Sequence, residues 1–345
     1  MTDRAGGKGY VIGYPETENQ REGIGNQAES GWEADVCIPA YRPGRRFGEL
    51  MRRLSRQRYP VRKIIIINTE EALWDPELIR DIPQAEVHHI SREEFDHGAA
   101  RNLAAACSQS PVMIFMTDDA VPADRDLVGR LVEGLKTPGP AGEVTAMAYA
   151  RQLPNADCAP IERLTRAYNY PDRPLCKTGR DLDRLGIKTY FASNVCCAYR
   201  REIFDRLGGF VSSTIFNEDM IYAAGVIREG FCIRYVPEAR VLHSHNFTCL
   251  QQFHRNFDLA VSQADHPEVF AGVPSEGEGI RMVKQTAVTL AKQGQLLLIP
   301  LLICQSAAKY SGYLLGKRYR RLPKGLILLC SGSSWYWKKR WRTRP

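Results

Sequence analysis

Two adjacent carboxylates, Asp118 and Asp119, end an apolar run that begins at Pro111. The run predicts a buried parallel strand, so the two acids would lie at its carboxyl end, where open α/β sheets bind ligands. Neighbouring carboxylates repel each other unless a cation or hydrogen-bond donors neutralise them. A hard divalent ion is commonly held by one or two carboxylates together with phosphate oxygens. Taken alone, the pair is more typical of an ordinary surface turn than of a metal site, and the rest of the chain must decide between the two interpretations.

A second acidic pair, Glu218-Asp219, starts a predicted helix that runs to about Glu229. Acids in the first turn of a helix are favoured for electrostatic reasons alone. Taken by themselves, these two residues indicate no chemistry. Their meaning depends on whether the fold brings them close to Asp118 and Asp119.

Three further groups of polar residues lie at the ends of predicted strands or at the start of a predicted helix. His243 and His245 come after a predicted strand at 231–236, and Asn68 ends another strand. Arg101 and Asn102 lie in the first turns of a predicted Ala-rich helix, where the helix dipole favours a bound phosphate. A lone histidine is more often a structural residue than a ligand, and Arg101 could equally face solvent.

The elements that must position these residues alternate between strand and helix. Residues 34–41 predict a strand, the apolar residues from Phe47 to Leu54 recur at helical spacing, and Lys63–Asn68 predicts a second strand. This succession indicates a right-handed βαβ unit with a parallel sheet. No G-x-G-x-x-G follows the first strand, so a dinucleotide fold is not indicated. Further strands are predicted at 86–90, 143–150 and 231–236.

The rest of the chain divides by composition. Residues 1–31 are polar and Gly-rich, and we expect them to be disordered or loosely attached. An α/β domain at 32–265 carries every candidate site. Within it, residues 151–188 are rich in prolines and charges and are expected to form an irregular, mobile lid. A helical region at 266–345 follows, interrupted at Pro300.

Charge is concentrated at the C-terminal end. The chain has 345 residues and a formal charge of +8, and ten Lys or Arg residues with no acid lie between Lys317 and Pro345. Nucleic-acid binding by the body of the protein is therefore not supported. Aromatic and basic residues alternate in 335–342, a pattern that suits the interface of an anionic membrane or a solvated basic tail.

The cysteines and the N-terminal sequence favour a reducing compartment. The ten cysteines form no C-x-x-C pair, which indicates buried thiols and neither a disulfide framework nor a zinc site. No signal peptide opens the chain, and the apolar stretch at 296–304 is too short to span a bilayer. We therefore expect a cytoplasmic protein.

Seven motifs resemble, in sequence and in order, those of the inverting glycosyltransferases of family 2, and most closely a bacterial rhamnosyltransferase-like branch. They are Ile38-Pro39-Ala40-Tyr41, Phe95-x-His97-Gly98-x-x-Arg101-Asn102-Leu103-Ala104, Phe115-Met116-Thr117-Asp118-Asp119-Ala120, Ser193-Asn194-x-x-x-Ala198-Tyr199-Arg200-Arg201, Gly208-Gly209-Phe210, Asn217-Glu218-Asp219-Met220 and His243-Ser244-His245-Asn246. The resemblance implies a GT-A fold: a Rossmann-like α/β domain with a mixed, mostly parallel sheet flanked by helices and a C-terminal helical appendage.

The resemblance also implies a role for each candidate residue. Asp119 would contact Mg²⁺ or Mn²⁺ on the donor diphosphate. One of the two histidines would complete the metal shell, with His243 preferred and His245 left open. Asp219 would be the catalytic base, with Glu218 beside it. The residues that would bind the nucleotide sugar are Pro39, Tyr41, Asn68, Arg101, Asn102, Asp118 and Asn194.

The activity so implied is metal-dependent transfer of a sugar, with inversion, from a nucleoside-diphosphate donor to a hydroxyl of a glycan or lipid-linked acceptor. The branch suggests rhamnose and a dTDP donor, in cell-surface polysaccharide synthesis at the inner face of the plasma membrane. Many relatives read the nucleobase with an acid where this chain has Asn68, so UDP also stays open.

Two other functions are compatible with parts of the sequence. A non-catalytic nucleotide-sugar or glycan-binding protein would keep the fold without turnover, but the intact acidic pairs argue against it. A sugar-nucleotide pyrophosphorylase would need a Gly-rich basic loop after the first strand, and 42–46 (RPGRR) resembles one only faintly.

Overall fold

We describe a computed structural model of the protein that covers residues 31–273 and 276–343. The strands within these residues are β1 (Ala34–Tyr41), β2 (Val61–Thr69), β3 (Ala85–Ile90), β4 (Val112–Met116), β5 (Val121–Pro122), β6 (Thr145–Leu153), β7 (Leu175–Lys177), β8 (Cys196–Arg200) and β9 (Cys232–Leu242). The α-helices are α1 (Arg45–Leu54), α2 (His97–Cys107), α3 (Leu127–Lys136), α4 (Pro160–Asn169), α5 (Leu182–Leu185), α6 (Arg201–Arg206), α7 (Glu218–Arg228), α8 (Cys249–Asp265), α9 (Pro267–Phe270), α10 (Glu276–Lys292), α11 (Ile299–Lys317), α12 (Lys324–Cys330) and α13 (Ser334–Thr343).

All of these strands belong to one mixed sheet, in the order β3-β2-β1-β4-β8-β6-β9-β5, with β7 paired to β9. The first four strands of this order are mutually parallel, whereas β8 is antiparallel to both β4 and β6. The carboxyl end of β4 therefore meets the amino end of β8. The acids at 118–119 follow β4 directly and were predicted to lie at this edge of the sheet.

The predicted βαβ unit is confirmed by β1, α1 and β2. The apolar face of α1, from Phe47 to Leu54, is buried, and four consecutive isoleucines of β2, Ile64–Ile67, are fully buried. Central strand β4 is buried along its whole length. Burial on both faces explains why these strands read as continuous apolar runs with no alternation of polar residues.

The expectation of an irregular lid at 151–188 is wrong. Strand β6 continues to Leu153, and the segment then forms α4, β7 and α5. Ile161 and Leu164 of α4 pack against Leu290 of α10 and Leu302 of α11. Two apolar positions on one face were enough to hold this helix, although charges and prolines dominate its neighbourhood.

The C-terminal helices pack onto α8. Gly312 and Gly316 of α11 face the carbonyl oxygens of Phe253 and Phe257 so closely that an added Cβ would overlap with both oxygens. Pro300 stands in the first turn of α11 and so begins a helix. No helix among the described residues is both long and apolar enough to cross a bilayer. The domain boundary near residue 265 stays a prediction, and 1–30 lie outside the described residues.

The aromatic and basic residues at 335–342 form helix α13. Trp337 is 1% exposed and packs with Phe257 and Tyr319. Arg340 forms an ion pair with Asp265 at the end of α8. The segment is therefore a packed helix, and no part of the described tail extends freely into solvent.

Candidate active site

A carboxylate and two imidazoles converge beyond the carboxyl end of β4. The Nε2 atom of His243 lies 3.5 Å from one oxygen of Asp119, and Nε2 of His245 lies 3.2 Å from the other. The two imidazole nitrogens are 3.1 Å apart. One ligand atom from each residue lies within 4.8 Å of the others, so this triad could hold a metal ion.

The spacing of the triad suits one shared ion. Adjacent ligands of an octahedral ion with metal–ligand distances of about 2.1 Å lie about 3 Å apart. His243 is buried, whereas Asp119 is partly exposed and the His245 side chain is 39% exposed. One side of the cluster is thus open to further ligands such as phosphate oxygens.

Both histidines face Asp119, although only one of them was expected to do so. Strand β9 bulges at 237–239 opposite β6 and then continues to Leu242, and the backbone N–H of His243 donates to Leu153 at 2.9 Å. Alternate residues of an extended segment lie on the same side of the backbone. The two imidazoles can therefore reach the same carboxylate.

Gln152 of β6 orients the buried histidine. Its Oε1 atom lies 3.1 Å from Nδ1 of His243 and also accepts a hydrogen bond from Arg166. Since an amide oxygen can only accept, Nδ1 of His243 carries the proton and Nε2 keeps its lone pair for a metal. Burial lowers the pKa of His243 to about 3, against the opposing charge of Asp119, so the imidazole stays neutral. Gln152 belongs to no motif and was not predicted from the sequence.

The acids of the first pair have opposite electrostatic environments. Burial raises the pKa of Asp118 to about 6, although the backbone N–H of Tyr41 donates to its carboxylate at 3.2 Å. Burial acts in the same direction on Asp119, but the hydrogen bond from His245 and the electrostatic interaction with the two imidazoles hold its pKa well below the ordinary value. Asp119 is therefore the acid kept ionised for a cation.

Asp219 is a partly exposed carboxylate in the first turn of α7, and among the described residues it makes no ion-pair contact, although the charge of Arg101 acts on it. Its oxygens accept hydrogen bonds from the backbone N–H groups of Asn194 at 3.2 Å and Met220 at 2.8 Å. Burial in the cleft and the neighbouring charge of Glu218 raise its pKa to about 7. A carboxylate of this kind is suited to take a proton near neutral pH.

Glu218, in contrast, is buried and contacts two polar side chains. It lies 3.2 Å from the guanidinium of Arg101 and accepts a hydrogen bond from the Asn194 side chain at 3.2 Å. Burial raises its pKa, but the charges of Arg101 and His97 outweigh that effect and keep the carboxyl ionised. The two acids of the second pair therefore differ in what they can do: Glu218 balances a buried arginine, and Asp219 stays available.

A chain of contacts joins Asp219 to the metal-ligand triad. The amide of Gln152, which binds His243, also donates to the hydroxyl of Ser193 at 3.0 Å. The next residue, Asn194, holds Asp219. The backbone N–H of Thr117, at the end of β4, donates to Val195 at 3.3 Å. The carboxylates thus lie at one edge of the sheet.

The structure gives internal partners to several residues predicted to bind nucleotide. Arg101 is 4% exposed and donates to the His97 carbonyl at 2.9 Å, besides its contact with Glu218. Asn102 exchanges two hydrogen bonds with the backbone of Phe210. Asn194 accepts a hydrogen bond from Tyr199 at 2.6 Å. The polar groups of these three side chains are bonded within the protein, so they support the walls of the cleft.

Pro39, Tyr41 and Asn68 lie at the ends of β1 and β2, as predicted. Tyr41 is 36% exposed, whereas Asn68 is buried. The Asn68 side-chain nitrogen donates to Glu70 at 3.1 Å, and its oxygen has no partner among the described residues. The hydroxyl of the next residue, Thr69, is likewise unpartnered. Two buried polar atoms without partners at this edge are compatible with a ligand that supplies them.

A cavity of about 990 Å³ opens beside these strand ends. Tyr41, Thr69, His97 and Trp335 of α13 are among the residues that line it. The Arg92 guanidinium lies 5.4 Å from the Tyr41 ring centroid and 5.2 Å from that of Trp335. The C-terminal helix therefore shares in forming this cavity, a contribution that no sequence motif indicated.

Arg255 of α8 is a second residue of the cleft that no sequence motif contains. Its guanidinium carbon lies 4.7 Å from the Phe216 ring centroid and 5.6 Å from that of Phe247. Phe247 stacks on His245, with ring centroids 5.0 Å apart. Within the described residues Arg255 has no hydrogen bond or ion pair. A guanidinium held between aromatic rings beside the triad is suited to an anion such as phosphate.

The mixed sheet flanked by helices has the architecture of the GT-A fold, and the candidate metal ligands and Asp219 lie at one edge of it. Residues 35–208 match the model of a protein family described as Glycosyl transferase family 2. The chain belongs to this family and is a glycosyltransferase, as the sequence motifs predicted.

Two curated proteins and one solved structure give this assignment detail. The chain is 36% identical to the O-antigen chain rhamnosyltransferase RfbN of Salmonella typhimurium, over 88% of this chain and 95% of that protein. It is 35% identical to WbaN, an O-antigen chain rhamnosyltransferase of Salmonella anatum, over the same shares. Its fold is similar to that of the mannosyltransferase PcManGT from Pyrobaculum calidifontis in complex with GDP-Man and Mn²⁺, with a TM-score of 0.50, 15% identity, and coverage of 90% of this chain and 86% of that chain.

Proposed function

We propose that the protein is a metal-dependent, inverting rhamnosyltransferase that extends an O-antigen-type glycan. Family membership supports glycosyl transfer, and the two curated relatives, both named O-antigen chain rhamnosyltransferases, support the sugar and the acceptor class. The observation that carries the mechanism is the contact path from His243 through Gln152 and Ser193 to the carboxylate of Asp219.

Asp119, His243 and His245 would hold the metal ion. Two imidazoles beside one carboxylate favour a transition ion such as Mn²⁺ over Mg²⁺, which prefers oxygen ligands. A bound divalent ion stabilises, as a Lewis acid, the negative charge that develops on the leaving diphosphate. Arg255 would add a second, fixed positive charge on the same side of the cleft.

Asp219 would take the proton of the acceptor hydroxyl as its oxygen attacks the anomeric carbon from the face opposite the diphosphate. General-base catalysis of this kind contributes about 10²- to 10⁴-fold in rate. A single displacement inverts the anomeric configuration and needs no covalent intermediate. Glu218 neutralises Arg101 and, with Asn194, keeps Asp219 in place.

The nucleoside would occupy the cavity lined by Tyr41 and Thr69. Asn68 precedes Thr69 and lies outside that lining, and its buried, unpartnered amide oxygen would serve as an acceptor for the N–H of a pyrimidine. Uracil and thymine share that N–H, so this contact serves a dTDP or a UDP donor equally. Family membership and the named relatives do not support the alternatives of a non-catalytic binding protein or a pyrophosphorylase.

The test is a screen of nucleotide sugars with and without Mn²⁺. We expect Mn²⁺-dependent use of a rhamnose donor, release of nucleoside diphosphate, and a product linkage inverted relative to the donor by NMR. Release of nucleoside monophosphate or pyrophosphate, or retention of configuration, would contradict the proposal. A lipid-linked acceptor would also place the enzyme at the inner face of the plasma membrane, in contact with it through the C-terminal third.

A further inference from the structure

The turn before α11 and the start of that helix expose large apolar side chains that the fold does not use. Leu296 is 59% exposed, Leu297 94%, Leu301 45% and Ile303 58%. We call these four residues the leucine surface. A helix with apolar side chains all round is normally buried, so its exposure here indicates a surface that has an apolar partner.

The same segment is firmly attached to the protein by its other side. Leu302 is 5% exposed and packs with Leu290 of α10 and Ile161 of α4, and Leu298 and Ile299 join this cluster. Inward side chains therefore fix the segment, and the leucine surface points outward from a supported framework. Substitutions on the outer side should leave the packing of the inner side intact.

The stretch of sequence that contains this surface carries charge of one sign. From Gly279 to Pro345 the sequence contains fourteen Lys and Arg residues and no Asp or Glu. Lys284 and Lys292 are exposed on α10, which leads into the leucine surface. The exposed side of α11 is itself uncharged as far as Tyr310, which is 54% exposed. Within this stretch the apolar residues are thus flanked by Lys284 and Lys292 and by no acid, whereas Glu162 of α4, a helix packed against α11, interacts with Lys309.

We propose that the leucine surface docks the protein on an anionic lipid bilayer, with Leu296 and Leu297 inserted among the lipids and the basic residues facing the headgroups. A membrane takes up apolar side chains and attracts cations at the same time. In a dimer formed through this surface, the basic residues of 279–345 in one copy would face those of the other, and the like charges would oppose association. The contact rests on exposure and charge and is independent of which sugar the enzyme transfers.

This surface replaces the C-terminal tail as the apolar part of the membrane contact. Trp337 of α13 is 1% exposed and Trp335 helps to form the cavity, so neither is free to insert. The basic residues of α13 can still add to the attraction, but the insertion is made elsewhere.

The test is flotation of the full chain with vesicles of phosphatidylcholine alone and of phosphatidylcholine mixed with phosphatidylglycerol. We expect binding to the mixed vesicles, weakening with salt, and roughly tenfold weaker partition for the double variant Leu297→Glu/Leu301→Glu. Leu73→Glu, a substitution at another exposed leucine, should bind like the wild type. Unchanged partition of the double variant would overturn the proposal.

Two further measurements keep the result interpretable. Should the double variant fail to fold by circular dichroism, Leu297→Glu alone alters only the most exposed position and must still weaken binding. Light scattering of the wild type and the variant tests the competing occupant, since a dimer that becomes a monomer on substitution would overturn the proposal. Transfer to a soluble acceptor should be equal in both proteins, which separates this surface from the proposed chemistry.

Discussion

The Nδ1 atom of His243 lies 3.1 Å from the amide oxygen of Gln152, while the opposite ring nitrogen faces the carboxylate of Asp119. This contact assigns the proton of the imidazole to Nδ1 and leaves Nε2 for a metal ion. It also couples the metal-ligand triad to Arg166 and Ser193, since the same amide bonds both. One glutamine therefore organises much of the cleft.

We predict that Gln152→Ala weakens Mn²⁺ binding about 10- to 100-fold, because His243 loses the acceptor that fixes its orientation. Titration of free Mn²⁺ by electron paramagnetic resonance measures the affinity directly. His243→Ala, which removes the ligand itself, should bind Mn²⁺ more weakly still. Equal affinity in Gln152→Ala and the wild type would show that the hydrogen bond does not serve the metal site.

We predict that Asp219→Asn lowers kcat for transfer by about 10²- to 10⁴-fold and leaves binding of the donor nucleotide intact, because an amide cannot accept the hydroxyl proton. Calorimetry with the nucleoside diphosphate and Mn²⁺ checks the second part. Asp205→Asn, at an acid whose side chain is 60% exposed on α6, is the matched control and should be fully active. Transfer by Asp219→Asn at the wild-type rate would remove Asp219 as the base.

The raised pKa of Asp219 predicts an acidic limb in the pH–rate profile. Since the base must be ionised, kcat/KM should fall about tenfold per pH unit below about 7, the pKa given by burial and Glu218. A profile measured between pH 5 and 9 with saturating metal, at about one-unit steps, resolves the limb. A profile without an acidic limb over that pH range, as expected for a base with the ordinary aspartate pKa of 3.8, would contradict the raised pKa of this carboxyl.

The same pKa predicts a cost in stability. The folded protein binds the Asp219 proton more tightly than the unfolded chain, so this group's contribution to the free energy of unfolding is lost as pH rises from 3.8 through about 7. The Asp219→Asn variant has no titrating carboxyl at this position, so its free energy of unfolding does not fall in this way as pH rises. Urea unfolding without metal should show the variant gaining stability over the wild type at alkaline pH, with a smaller difference in acid. A difference that does not depend on pH would refute this.

Close packing of α11 on α8 predicts that Gly312→Ala destabilises the protein by about 1–3 kcal/mol, because the added methyl overlaps with the Phe253 carbonyl and forces the helices apart. Gly325→Ala in α12, where a Cβ meets nothing within 4 Å, is the matched control. It should stabilise by up to about 1 kcal/mol through helix propensity. Equal stability of the two variants in urea would contradict the close contact of the helices.

Local pattern predicted the elements whose burial dominates their composition. The isoleucines of β2 and the apolar run of β4 are buried on both faces, and the spacing from Phe47 to Leu54 matches the buried face of α1. Helix α4 was missed because its neighbourhood is polar and its packing partner, Leu290, lies far away in the chain. Periodicity detects a face and cannot show which distant residue will cover it.

The sequence by itself determined the family and the residue types at the strand ends, since both are properties of local order along the chain. Only the tertiary structure decided that Glu218 pairs with Arg101 while Asp219 stays available, and that both histidines reach Asp119. The reason is physical. Charge balance and hydrogen bonding inside a cleft depend on which distant segments meet there, and the spacing of residues within a motif does not encode that meeting.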